Sequence, residues 1–229
     1  MPGSFDLSLL QWLNSGNSAF FDTLVPMLTN GMAWLPLYGA LLYLVVKNNE
    51  TMAQIGLIIG AVLVCIVLAG GVDDFIVKPM VGRIRPCNDP MVKTHLNLIA
   101  GTLEESYSFF SAHAANTFSL AVFFCLLVRD RLFSSVMSFW ALLNVWTRLY
   151  LGVHYPSDVF CGMLYGSLVG VAVYFLFHRV YNKLNTNFQY ISSQYTSSGY
   201  AKTDIDVVVS TLVLTLAVII LAAVYGTSF

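Results

Sequence analysis

Long stretches without a single charge set the limits on what this chain can fold into. One lies between Asp22 and Lys47, a second fills 51–72, and further ones lie between Glu105 and Arg129, Arg131 and Arg148, and Asp158 and His178, with a last one from Val207 onward. Each is near the roughly 20 residues that a helix needs to cross a bilayer, the fourth being the shortest. With 57% hydrophobic and only 10% charged residues, the chain has too few charges to solvate an ordinary globule of 229 residues. The expected fold is therefore all-α, a polytopic membrane helix bundle with six transmembrane helices. Residues 5–20 mix Leu, Trp and Phe with polar side chains and suit an interfacial helix lying on the membrane. The first span is most apolar over about Gly31–Val46, with a bend expected near Pro36.

This divides a single membrane domain, 1–229, into an interfacial helix (5–20), a five-helix core (31–177), a cytoplasmic linker (178–206) and a sixth transmembrane helix (207–226). The linker is rich in Asn, Ser, Gln and Tyr, and its tyrosines suit the membrane interface. Net charge is −1 with the Lys and Arg dispersed, so nucleic acid is not an expected partner. No CxxC or HExxH pattern gives metal-ligand spacing, and no cofactor is expected. No basic stretch with a small-residue cleavage site marks a signal peptide at the N-terminus.

The connections between the apolar runs are unequal. Those around Lys47–Glu50 and Arg129–Arg131 are tight, whereas the link from about Val77 to Glu105 is far longer than a compact bundle requires. Polar clusters gather at this link and its neighbours: Lys78–Pro86 (KPMVGRIRP), Ser108–Asn116 (SFFSAHAAN) and Thr147–Asp158 (TRLYLGVHYPSD). Ionisable groups at a membrane edge are costly unless something uses them. Lys78, Arg85 and Arg148 supply fixed cations for phosphate oxygens, the arginines with a planar fork. If a helix starts at Ser111, Ala112 and His113, its free N–H groups and the serine hydroxyl form an anion site, with His113 placed to give a proton to a departing oxygen. His154 falls in a turn before Pro156, and Asp158 in the first turn of the next helix. A carboxylate on one imidazole nitrogen frees the other as a nucleophile. His95 and His178 read as ordinary interface residues. Cys65 and Cys125 read as small core residues, while Cys87 and Cys161 flank the clusters, and bridging those two would need Cα atoms within about 7 Å.

Lys78 with six residues to Arg85-Pro86, then Phe110-Ser111-Ala112-His113, then Thr147-Arg148 with five residues to His154 and three to Asp158, resembles the type 2 phosphatidic acid phosphatase family. The resemblance spans 78–158. It implies a metal-independent lipid phosphatase acting through a phosphohistidine on His154, with Asp158 orienting that ring and His113 protonating the leaving group. Lys78, Arg85, Ser111, Ala112 and Arg148 would hold the phosphate. Phe110, Ala112 and Thr147 stand where proline, glycine and serine are usual. Thr147 keeps the hydroxyl, and Phe110 adds an aromatic at the mouth of the site.

The long link and the short one between the fourth and fifth apolar runs, which carries the third cluster, emerge on one side, because the chain crosses twice between them. Lys47, Arg129, Arg131, Arg179, Lys183 and Lys202 fall on the opposite face; setting aside three cations for phosphate leaves six against two, which places the clusters outside, periplasmic or extracellular. A bacterial inner membrane is the expected location. The phosphate-reading motifs leave the lipid open among undecaprenyl diphosphate, lipid A, phosphatidylglycerol phosphate and phosphatidic acid. A non-catalytic lipid-binding or transport protein on the same scaffold is the alternative, and it would be marked by loss of the His or Asp, both of which are present.

Overall fold

The computed structural model describes residues 3–16, 18–99, 104–184 and 193–226. Among these the regular structure is helical: α1 (Ser4–Asn14), α2 (Ala19–Thr29), α3 (Leu35–Lys47), α4 (Met52–Ile66), α5 (Lys78–Val81), α6 (Ala112–Val128), α7 (Arg131–Tyr150), α8 (Pro156–Leu184) and α9 (Lys202–Val224). Two π-helical segments, Val67–Gly71 and Asp73–Val77, carry α4 into α5 as one continuous rod, Met52–Val81.

Local chemistry accounts for the helix ends. Thr51 and Gln54 form a reciprocal capping box at the start of α4, Ser111 caps α6, and Asp130 accepts from the Phe133 amide to start α7. Gly82, at φ +62°, stops α5 in a left-handed turn and releases the chain into the long link. The π segments widen the rod beside the polar clusters, and the Tyr165 hydroxyl donates to the Leu68 carbonyl there at 3.0 Å.

The closest helix packing is α6 on α8. Gly162, Gly166 and Gly170 lie one turn apart on α8, and a Cβ on them would stand 2.6, 2.2 and 2.6 Å from the carbonyl oxygens of Ser111, Ala115 and Ser119, which are spaced the same way on α6. Two stripes of small residues thus bring the backbones together. This contact fixes the start of α6 against the start of α8, where two of the three clusters meet.

Among the described residues, three helices are long and apolar enough to span a membrane: Met52–Val81, Pro156–Lys183 and Lys202–Val224. The pair Ala19–Thr29 and Gly31–Lys47 makes a fourth if its 69° bend is taken within one span. The expected count of six is thus reduced to three or four on length and composition. α6 has only 17 residues, and α7 dilutes its apolar surface with Ser134, Ser135, Asn144 and Arg148. Both pack against other helices, so their faces are selected for contact with protein as well as lipid. The bend in the first span also moves: Pro36 sits at the start of α3, where proline is compatible with a helix, and the break falls at Asn30. α8 runs on to Leu184, and residues 185–192 of the expected linker lie outside the described residues. Exposed Leu63, Val67, Leu168, Phe175, Leu214 and Leu221 give α4, α8 and α9 an apolar exterior suited to lipid.

Candidate active site

Arg85, Arg148 and His154 are brought together from the long link, the end of α7 and the α7–α8 turn. All three are buried. Arg85 Nη1 lies 2.9 Å from His154 Nε2 and 3.1 Å from the Val153 carbonyl, and its other nitrogens donate to the Ser106 carbonyl (2.7 Å) and hydroxyl (2.8 Å). A guanidinium has no acceptor. His154 Nε2 therefore accepts, the ring proton sits on Nδ1, and the Nε2 lone pair faces the arginines.

Arg85 and Arg148 share one carboxylate. Glu104 Oε2 is 2.6 Å from Arg85 Nη2, and its Oε1 accepts from Arg148 Nη2. Arg148 Nη1 also donates to Thr29 Oγ1 at 2.9 Å. Burial alone would raise the Glu104 pKa, but the charges of Arg148 and Arg85 outweigh it and hold the carboxyl below its ordinary value. Burial is the largest influence on His154 as well, and with Arg85 and Arg148 nearby it pushes the imidazole down to about 4 against the opposing pull of Asp158. The ring is thus neutral near pH 7.

Asp158, in the first turn of α8, is fully buried. Its Oδ2 is 3.8 Å from His154 Nδ1, longer than a hydrogen bond, and accepts from the Tyr155 amide at 3.0 Å and from the Ser108 hydroxyl. Its Oδ1 accepts from Arg83 Nη1. The backbone carbonyl of Asp158 accepts from the Ser111 amide at 3.2 Å, which ties the start of α6 to the same turn.

The other predicted residues are placed as follows. Ser111 is the N-cap of α6, accepting from the Ala114 amide at 3.4 Å, with Ala112 and His113 in the first turn. His113 Nε2 is 3.3 Å from Asn144 Oδ1. Because Asn144 Nδ2 donates to the Trp140 carbonyl, its oxygen is the acceptor and His113 Nε2 carries a proton. Lys78 is drawn to other partners, Asp73 at 3.2 Å and Asp74 at 2.5 Å, and Asp73 also accepts from the Phe110 amide at 3.1 Å. The contacts thus join Arg85, Arg148 and His154 to one another, and Lys78 to two aspartates. All four cysteines are free, so the Cys87–Cys161 bridge is not formed.

Sequence reasoning did not single out Asp6, Arg83, Glu104, Ser106, Ser108 or Asn144. Arg83 and Ser108 lie inside the polar clusters, so proximity to the motifs was an available signal. Asp6 and Glu104 carry none, because their roles depend on how α1 and the long link fold back.

Beside His113 an apolar cleft of about 590 Å³ opens between α3, α4, α6 and α7, lined by Trp34, Leu41, Ile58, Leu63 and Phe124 and reaching Asn144.

A helical membrane bundle with two arginines and a neutral histidine converging at its helix ends has the makings of an anion-handling membrane enzyme. The PAP2 superfamily model matches residues 58–182, which include all three polar clusters, and the chain belongs to that superfamily. It is 31% identical over 220 residues, 96% of this chain and 95% of the other, to a lipid A 4′-phosphatase of Bacteroides thetaiotaomicron. It is 26% identical over 167 residues, 73% and 70% of the two chains, to a lipid A 4′-phosphatase of Porphyromonas gingivalis. No solved structure matches.

Proposed function

We propose that the protein is a lipid phosphatase that removes a phosphate from lipid A through a phosphohistidine intermediate on His154. The observation that carries the mechanism is the 2.9 Å contact between Arg85 and His154, since it requires an unprotonated Nε2 directed toward the cationic site. Glu104 marks where the phosphate goes: one carboxylate now bridges both guanidiniums, and phosphate oxygens take its place.

In the first step Nε2 of His154 attacks phosphorus, the bond from phosphorus to the lipid oxygen breaks, and His113, entering the step as an imidazolium with its Nε2–H on Asn144, gives that oxygen the Nδ1 proton and becomes neutral. Asp158 closes on the Nδ1 proton and supports the developing imidazolium. In the second step water gives a proton back to His113 and attacks phosphorus, the P–N bond breaks, and inorganic phosphate leaves. Arg85, Arg148, the Ser111 hydroxyl and the first-turn amide at Ala112 meet the equatorial oxygens. Lys78 joins them by exchanging Asp73 or Asp74 for a phosphate oxygen. The fixed cations take the electrostatic role that a divalent ion has elsewhere, so turnover is independent of metal.

The lipid choice is supported by the names of the two relatives and by the apolar cleft beside His113, which suits acyl chains. The site lies on the outer face of a bacterial inner membrane, supported by the Lys and Arg count on the opposite face. In this reading α6 and α7 cross as a buried hairpin, giving six spans, with Arg129–Arg131 at the far side.

The test is phosphate release by detergent-purified protein from lipid A, undecaprenyl diphosphate, phosphatidylglycerol phosphate and phosphatidic acid, with excess EDTA. Lipid A should be the preferred substrate, and alkaline quench should trap label on His154. Preference for another lipid would overturn the substrate, activity restored only by magnesium would overturn metal independence, and base-stable label surviving in His154→Ala would overturn the intermediate.

A further inference from the structure

The carboxylate of Asp158 is tied to the N-terminal helix by an unbroken chain of polar contacts. Arg83 Nη1 donates to Asp158 Oδ1 and lies 2.8 Å from the Ser157 hydroxyl; its Nη2 is 3.0 Å from Asp6 Oδ2, and its guanidinium carbon stands 4.1 Å over the Tyr155 ring. Asp6 Oδ1 accepts from the Ser157 amide at 2.9 Å, an open N–H of the first turn of α8, and Oδ2 from the Ser157 hydroxyl at 2.5 Å. The Arg83 and Asp6 side chains are mostly buried, at 22% and 12% exposure. A helix that served only to rest on the membrane would not need to place a carboxylate here.

We infer that Asp6 and Arg83 are positioning residues for Asp158, which makes α1 a working part of the active site. The inference rests on the proposed role of Asp158 beside His154. Its basis is charge as well as geometry: the sequence Asp158, Arg83, Asp6 alternates in sign. Arg83 alone would draw the Asp158 carboxylate away from His154 and weaken it as a partner for an imidazolium. Asp6 offsets that pull by taking the other end of the guanidinium, and its hold on Ser157 fixes α1 to the turn that carries Asp158.

Neutralising the two residues has opposite electrostatic consequences at His154, whose other charged neighbours are Arg85, Arg148, Glu104 and Asp158. Asp6→Asn leaves Arg83 uncompensated and disfavours the imidazolium. Arg83→Gln leaves two carboxylates and favours it. The experiment is the pH profile of kcat/KM for both variants, together with NMR titration of the His154 ring in labelled protein. Asp6→Asn should lower kcat roughly tenfold with KM changed by less than about twofold, and move the acid limb down by about half a pH unit. Arg83→Gln should also lower kcat, because Asp158 loses its place, but move the limb up. Asp6→Glu should restore most of the activity. If Arg83→Gln does not fold, Arg83→Lys, which keeps the charge, should lower kcat and leave the limb where it is.

A rise in KM alone in Asp6→Asn would make α1 a mere lipid anchor and overturn the inference, as would limbs that do not move or move the same way. The ring titration needs no turnover, so it separates this inference from the substrate assignment: an inactive wild-type protein whose His154 titration still shifts in opposite directions would condemn the assignment and keep the positioning pair.

Discussion

Asp158 and Glu104 are both carboxylates near His154, yet they are held in opposite ways, Asp158 by Arg83 and Glu104 by Arg85 and Arg148. Asp158 starts α8, is fully buried, and accepts from Tyr155, Ser108 and Arg83 while its carbonyl takes the Ser111 amide. Glu104 lies on the long link, is 39% exposed, and holds the two guanidiniums that phosphate would need. The first is fixed by groups that support the scaffold; the second is fixed by the ligand site itself. A carboxylate whose partners belong to the frame is a permanent part of the machinery, whereas one whose partners belong to the ligand is replaceable.

The largest effect should follow from breaking the permanent one. Asp158→Asn keeps the shape and removes the charge that steadies the imidazolium, so kcat should fall by on the order of 10³ to 10⁴ with little change in KM. Pre-steady-state adduct formation is the measurement, and a fall below about tenfold would remove Asp158 from the mechanism. The frame that holds it can be broken at a distance. Gly166→Ala inserts a Cβ 2.2 Å from the Ala115 carbonyl, which forces α8 away from α6 and should destabilise the protein by about 1–3 kcal/mol. A melting temperature in detergent that did not fall would mean that the two helices do not meet this closely.

What the sequence disclosed follows the same division. Features written in consecutive residues were legible: the apolar runs, the start of α6 at Ser111, and the placement of Asp158 in the first turn of α8. Features that need distant segments were not. The long link returns Glu104 to Arg148, and α1 brings Asp6 to Arg83, with no spacing in the chain to announce either contact. Lys78 shows a competition that spacing does not reveal. Its spacing from Arg85 suggested one cradle, and Asp73 and Asp74, five and four residues before it on the same rod, compete with phosphate for the ammonium. The span count is a related case: α6 and α7 are buried among other helices and need not be apolar enough to count as crossings, so length and composition give three or four spans among the described residues where six were expected.

The histidine between the two carboxylates gives a test by pH. Burial holds His154 near 4 against an ordinary 6.5, so the neutral form, which the proposed mechanism needs, persists well below neutrality. The enzyme-dependent acid limb of kcat/KM should fall toward pH 4, and a limb near 6.5 would mean that water reaches the ring. The same depression bears on stability. The unfolded chain binds the proton first, so this contribution is intact above about pH 6.5 and is lost as pH falls through 6.5 to about 4.

The smallest effect, and the sharpest test of the comparison, concerns Glu104. If it stands in for phosphate, an oxyanion must displace it before binding, and Glu104→Gln should bind vanadate about tenfold more tightly at neutral pH, the scale of one displaced charge-assisted contact. KM for the lipid should fall in the same direction, with kcat nearly unchanged, because Glu104 has left before chemistry begins. The sign with pH is also set. Since Arg148 and Arg85 hold the Glu104 carboxyl pKa below its ordinary value, it stays ionised and competes until the pH falls below that depressed pKa; only then does the wild-type protein gain affinity. The advantage of Glu104→Gln over wild type should therefore be constant near neutrality and shrink as pH falls through the depressed carboxyl pKa, with vanadate's own titration cancelling in the ratio. Weaker vanadate binding by Glu104→Gln would show instead that the carboxylate organises the two arginines for phosphate, and Glu104 would then belong with Asp158 among the permanent parts.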